Sequence, residues 1–469
     1  MKLIYQVEDR PSFAKLIVFA LQQMLAIMAA TLVVPVIINS NTSGMETASN
    51  MSSAAALFGA GVGTLVYVLF TKAKSPVFLG SSFAFIGSMT AAFAGAVSAQ
   101  AGYAGIIIGA VFAGLVYVAL AIIVKVAGVD WINKLMPSIV IGPTVAIIGL
   151  SLAGNAVGDI QNGGVSGDSR IAVFCGIVTL AVVMLCSVYG KKSGKLIPFI
   201  YGILAGYLIC ACFTIIGNIA DIDVFKIVDF STFKNNLTDD GAITLATFFS
   251  VPDFTFLNVG FGDITGSYVG TVAVAYIPVA FVVFAEHIAD HKNISSIIER
   301  DLLKEPGLHR TLLGDGVGSM AGAIFGGCPN TTYGESIGCV AITKNASVAT
   351  IITAAFGCIL LSFINPFVVF VGSIPACVMG GVCMALYGFI AVSGLKMIQD
   401  VDLNKNKNLF VVSVILIAGI GGLSLTFGKV EITTVAVALI LGILANLMLK
   451  NGPDEDVSEE VVEEEKTEE

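Results

Sequence analysis

Apolar runs long enough to cross a bilayer recur along almost the whole chain, separated by short polar breaks. They fall near residues 13–37, 51–71, 101–127, 135–157, 168–189, 196–218, 266–291, 346–366, 374–398, 406–426 and 430–450. Each is close to the roughly 20 residues that a spanning helix needs. Three further segments, 76–97, 311–327 and 331–345, are apolar but shorter or broken by glycine. With each counted as one crossing, the pattern predicts an all-α polytopic membrane protein of fourteen transmembrane segments. Short extended, β-like stretches are expected in the broken third and tenth, "PVFLGSSFAFIGS" at 76–88 and "PNTTYGESIG" at 329–338.

Placement of the basic residues orients these spans. With the N-terminus inside, twenty of the 24 Lys and Arg fall in inside loops, and only Arg170, Lys226, Lys234 and Lys429 fall outside. Both termini are therefore expected to be cytoplasmic. The longest connection, 219–265, is polar enough to lie outside the lipid and separates a first seven-span repeat, 1–218, from a second, 266–450. Seven is odd, so the second half enters the membrane from the opposite side, which makes an inverted repeat if the halves share a fold. "PSIVIGPTVAIIGL" from Pro137 and "PACVMGGVCMALYG" from Pro375 share the pattern P-x-x-V-x-G and support that repeat. Interrupted segments at matching places in two halves are where transporter substrate sites form.

Composition narrows the class. The chain is 56% hydrophobic and 12% charged, with a mean hydropathy of +0.92. Soluble domains carry about 25% charged residues, so a soluble fold is excluded. The net charge of −9 comes largely from the tail 451–469, expected to be acidic, solvated and disordered. The nine cysteines show no CxxC spacing and read as small buried hydrophobes. No cleavage site follows the first apolar run at the right distance, so no removable signal peptide is expected. A nucleotide loop, a credible metal set and a soluble domain are all missing from the sequence, which argues against an enzyme.

Glu286, Asp290 and Glu335 break the apolar pattern most clearly. Glu286 and Asp290 are four apart and project from one helix face. An ionisable group in mid-bilayer costs roughly 2.5–3.5 kcal/mol on insertion scales, so such acids point to function. The competing reading is an interfacial acid, since Lys292 follows Glu286 closely. His287 and His291 are also four apart, but no further ligands at recognisable spacing accompany them, and no metal is expected. Glu335 lies in the break "PNTTYGES", where Gly334 lets a ligand approach the backbone. Two facing extended segments with free backbone donors and acceptors suit a flat ligand bearing N–H and C=O groups. Phe83, Tyr333 and Tyr387 could supply ring faces to it. Glycine packing in a plain bundle would explain the glycines but not Glu335.

"VVFAEHIADH", "GLHRTLLGDGVGSMAGAIFGGCPNTTYGESIGCVAITK" and "PACVMGGVCMALYGFIAVSG" resemble the nucleobase/ascorbate transporters, and within them the bacterial uracil permeases. The likeness extends over nearly the whole chain. It implies two inverted seven-span repeats, a core domain of spans 1–4 and 8–11, and a gate domain of spans 5–7 and 12–14. It also implies uptake of a free nucleobase across the cell (inner) membrane by a homodimer in lipid. The proton would be the coupling ion, with no other cofactor and no nucleic-acid partner. By the same resemblance Glu286 and Glu335 bond the base, with Tyr333, Gly334, Phe83 and Tyr387 around it. Asp290, Glu286 and Glu335 are the candidates for proton coupling.

Three positions depart from the family pattern. Ser336 stands where Asn commonly follows the span-ten acid, and Gln23 stands where uracil permeases have His. Asp290 replaces a His one turn after Glu286, as in some purine-transporting relatives. A permease for xanthine, uric acid or another base is therefore the alternative within the class. An anion carrier for sulfate or bicarbonate on the same architecture is the alternative outside it. Two carboxylates facing the site disfavour an anion.

Overall fold

The computed structural model describes residues 3–449 apart from 167, 192–193, 196, 238–242 and 428–429. The acidic tail 451–469 lies outside the described residues. The apolar runs form helices α1 (Phe13–Thr42), α2 (Ser53–Phe70), α3 (Phe83–Ala94, opening with a 3-10 turn), α4 (Ala99–Ala127), α5 (Ser138–Ile160), α6 (Ser169–Tyr189) and α7 (Pro198–Ala220). After the connection come α8 (Gly266–Ile298), α9 (Leu308–Gly326), α10 (Gly334–Thr343), α11 (Val348–Leu361), α12 (Ala376–Lys396), α13 (Asn406–Ile420) and α14 (Thr434–Met448). By length and composition α1, α2, α4–α8 and α12 suffice to cross a membrane, while α3, α11, α13 and α14 are shorter apolar helices. The chain is thus a multi-pass, mainly helical membrane protein.

Helix starts follow local chemistry. Ser52, Ser98 and Thr265 cap α2, α4 and α8 by accepting from the third residue on. Pro137 and Pro375, the shared prolines of the two P-x-x-V-x-G runs, both sit at the N-cap, of α5 and α12. α8 runs on to Ile298, beyond the expected end at 291. Glu286 and Asp290 are therefore followed by further helix, not by its end.

The helices pack in two groups. α1–α4 pack with α8, α9 and α11, while α5–α7 pack with α12–α14. α2 and α9 approach through glycines: a Cβ on Gly59 would lie 2.6 Å from the Gly322 carbonyl, and one on Gly63 2.8 Å from that of Gly318. Small residues four apart permit such backbone contact in a membrane.

Two pairs of short strands interrupt the helices. β1 (Leu79–Ser81) and β2 (Asn330–Thr332) pair antiparallel, with Gly80 opposite Thr331. They come from the two interrupted segments, one in each half of the chain. A second pair, β3 (Leu425–Phe427) with β4 (Val430–Ile432), was not expected. The runs 406–426 and 430–450 are therefore not helical throughout. α13 stops at Gly421 and Gly422, the latter at φ +74, where a glycine favours leaving the helix.

Candidate functional site

The strand crossing satisfies its own backbone. Besides the β1–β2 ladder, Ser82 N–H donates to the Pro329 carbonyl at 2.9 Å and Tyr333 N–H to the Phe78 carbonyl at 3.1 Å. Thr64 of α2 accepts from Leu79 N–H at 2.9 Å, and Asn330 Nδ2 donates to the Gly59 carbonyl at 3.0 Å. Non-helical backbone within a membrane protein survives only where such partners exist. This corrects the expectation of free backbone donors along both extended segments, because the strands spend them on each other. The donors left for a ligand are the first-turn amides of α3 and α10, which begin where the strands end.

Glu335 occupies the first turn of α10, directly after Gly334. Gly334 is exposed, and a Cβ built there would meet no atom within 4 Å. This glycine is not demanded by packing within the chain. Glu286 and Asp290 lie on α8, half-buried, and Glu335 is half-buried opposite them. Asp290, Asp315 and Glu335 all act electrostatically on Glu286, and among the described residues no Lys or Arg does. Thr332 of β2 donates to Asp290 Oδ2 at 2.7 Å. Neither Glu286 nor Glu335 is held by another side chain's hydrogen bond among the described residues. Two carboxylates are thus left with acceptor capacity beside an open backbone position.

The aromatic residues divide. Phe83, at the start of α3, meets Tyr387 of α12 edge-on at 5.7 Å, so the two packing groups touch at the site. The Tyr387 hydroxyl is buried beside the Cys383 thiol and has no nitrogen or oxygen partner among the described residues. Tyr333 is committed elsewhere: its hydroxyl donates to the Ser81 carbonyl at 2.6 Å, and its ring covers Gly80. The expected open ring face of Tyr333 is corrected to a brace across the strands.

Two of the departures from the family pattern turn out to be partners. Gln23 Nε2 donates to Ser336 Oγ, which also accepts from Phe78 N–H at 3.0 Å. Sequence reading missed Asp315, which is 1% exposed and lies 2.7 Å from His287 Nδ1. Its signal was an acid set between Gly314 and Gly316 inside an apolar run, hidden by the neighbouring glycines.

Residues 14–428 match a family described as a permease family. The chain is 37% identical over 455 residues to a protein named uracil permease from Bacillus caldolyticus, covering 96% of each. It is 35% identical to the uracil permease of Bacillus subtilis, covering 97% of each. The uracil permease of Escherichia coli K12 is 34% identical, over 95% of this chain and 93% of that one. Among solved structures, the transmembrane domain of a cyanobacterial bicarbonate transporter, BicA, has a TM-score of 0.57 at 14% identity, covering 94% of this chain and 99% of that one. The murine anion transporter Slc26a9 in its inward-facing state gives 0.63 at 9% identity, over 94% and 69%. At such identities the likeness establishes the fold alone.

Proposed function

Since the chain belongs to this permease family, we propose that it is a proton-coupled symporter that imports a nucleobase, uracil foremost, across the cell membrane. The observation that carries the reading is the pair of carboxylates, Glu286 and Glu335, unheld by other side chains beside the open backbone of Gly334. A uracil ring presents two N–H donors and two carbonyl acceptors in alternation around four successive ring positions. Ionised carboxylates accept from the N–H groups, and the first-turn amides of α10 and α3 donate to the carbonyls. Phe83 and Tyr387 close the site from the side where the packing groups meet. All fourteen helices are taken as crossings in two inverted repeats, with both termini cytoplasmic. The α1–α4 and α8–α11 group acts as the core and the remainder as the gate. The Phe83–Tyr387 contact must part as core and gate rock about the base. The protein would work as a homodimer in the inner membrane.

Asp290 is assigned to coupling. It stands one turn from Glu286 and is tied through Thr332 to the strand crossing, so its protonation is felt where the base sits. A proton moving down 100 mV supplies about 2.3 kcal/mol, enough for about fifty-fold accumulation of a neutral base. Asp290 in place of the family's histidine also favours a second reading, import of a purine base such as xanthine or uric acid. An anion substrate is disfavoured by the carboxylates that face the site.

The deciding test is uptake of labelled uracil into vesicles holding the purified protein, with a panel of unlabelled bases as competitors. Uracil should compete best, uptake should need an inward proton gradient, and Glu335→Gln should lose it. Stronger competition by xanthine would move the assignment to purines, and uptake indifferent to every base would end the nucleobase reading.

A further inference from the structure

Glu286 and His287 are consecutive on α8, so they project about 100° apart. The histidine therefore leaves the candidate site and enters a second polar cluster between α8 and α9. His287 Nε2 is 3.0 Å from Thr311 Oγ1, and the Thr311 hydroxyl donates to the Leu308 carbonyl at 3.0 Å. A hydroxyl has one hydrogen, so while Thr311 gives it to the Leu308 carbonyl it accepts from the ring, and Nε2 carries a proton. His287 Nδ1 and Asp315 Oδ2 are 2.7 Å apart. That contact needs a second proton, on the ring or on the carboxyl. Without it a nitrogen lone pair would face a carboxylate in a place where both side chains are at most 1% exposed. With the Thr311 hydroxyl directed at the Leu308 carbonyl, the pair holds one proton more than a neutral imidazole and a carboxylate would.

The surroundings connect this proton to moving parts. Thr331 of β2 lies 3.4 Å from the same Asp315 oxygen, while its neighbour Thr332 bonds Asp290 on the other side of the strand. Side chains alternate along a strand, so β2 touches both acids at once. Asp315 Oδ1 and the Tyr117 hydroxyl are buried without partners among the described residues and border a cavity of about 10 Å³. The His291 ring stacks on His287 at 4.0 Å; its Nδ1–H donates to the His287 carbonyl at 2.8 Å, and its Nε2 is 2.7 Å from the Tyr67 hydroxyl. From α4 the Tyr117 ring meets His287 edge-on. Glu286 and Asp290 on α8 and Glu335 on α10 complete the titratable groups around the pair among the described residues, where no Lys or Arg acts on it.

We propose that His287 and Asp315 form a second proton-binding site, separate from the acids that face the substrate, whose proton clamps α8 to α9 and, through Thr331, to the strand crossing. Loss of the proton sets lone pair against carboxylate, breaks the 2.7 Å contact and frees β2 and α8 to move against α9. This rests on the proton-coupled reading above, but its test does not depend on transport.

The chain has three histidines, so ring ¹⁵N spectra of histidine-labelled full-length protein in lipid vesicles contain few signals to assign. His287 should show both ring nitrogens engaged as proton-sharing at mildly acidic pH and lose one proton in a single step as pH rises. Saturating uracil should shift that step. Asp315→Asn should abolish the step while the His309 signals stay in place. Should that variant fold poorly, Thr311→Val retains the Nδ1 contact and should displace the step without abolishing it. The proposal is overturned if His287 holds one state across the whole pH range, or titrates alike in wild type and Asp315→Asn. Asp290→Asn separates the two ideas. Lost accumulation with an intact His287 step supports both, and lost accumulation without any His287 step in wild type leaves only the coupling role of Asp290.

Discussion

Gly334 invites the plainest experiment at the level of single residues. Because a Cβ there meets nothing within 4 Å, Gly334→Ala should fold with an unchanged melting temperature yet crowd the approach to Glu335. Uracil affinity should fall by about tenfold, or about 1.4 kcal/mol; unchanged affinity would place the base elsewhere. Asp290→Asn should keep binding and exchange of base but lose accumulation driven by a pH gradient, measured in vesicles. A variant that still concentrates uracil makes Asp290 a bystander. The acids Glu286, Asp290 and Glu335 were legible in the sequence because each interrupts an apolar stretch. Asp315 was not, since glycines on either side already weaken its run. Nor could the sequence say that Tyr333 spends its ring on Gly80, because that contact depends on a strand from the other half of the chain.

Among the elements, α2 and α9 depend on contact without side chains. Gly59→Val would force α2 away from the Gly322 carbonyl, and overpacking of this kind costs roughly 1–3 kcal/mol. Its melting temperature in detergent should fall where that of Gly334→Ala does not. The N-terminal segment forms another such dependence. Ile4 N–H donates to the Lys344 carbonyl at 2.7 Å, while Ala346 and Val348 N–H donate back to the Tyr5 and Val7 carbonyls, each at 3.0 Å. This strap holds the end of α10, the helix that starts at Gly334. Glu8 pairs with Arg300 at 2.5 Å, and the guanidinium holds the Glu8 carboxyl below the usual range. A depressed carboxyl contributes stability that is present above its unfolded value, near pH 4, and is lost as pH falls through the folded value. The pair is largely exposed, so the effect is at most about 1 kcal/mol. Melting curves of wild type and Arg300→Ala should differ at neutral pH and converge in acid; a constant gap would remove this pair from the strap. Helix positions could be read from hydropathy, but β3 and β4 could not, being three residues each and lying at the facing ends of two apolar runs.

For the molecule as a whole, the asymmetry of basic residues predicts that Lys234 and Lys405 face opposite sides of the membrane. In a cysteine-free background, Lys234→Cys should react with an impermeant maleimide on intact cells, and Lys405→Cys only after permeabilisation. Equal reaction of both would undo the orientation. Division into two packing groups was not readable from periodicity, because which helix faces which depends on contacts between the halves. Some of those contacts, α2 with α9 and β1 with β2, meet at the strand crossing, and others, α5 with α12, lie in the second group.

The crossing also sets an order of events during synthesis. β1 leaves the ribosome about 250 residues before β2 exists to pair with it. At about 5–20 residues per second, that is a wait of roughly 10–50 s. Throughout it, the edge of β1 has no strand partner in an environment that supplies no water to replace one. The first half, expressed alone, should therefore be held by insertion factors or degraded. The two halves, severed within the 219–265 connection and made together, should rescue one another, because each carries the strand that pairs with the other's.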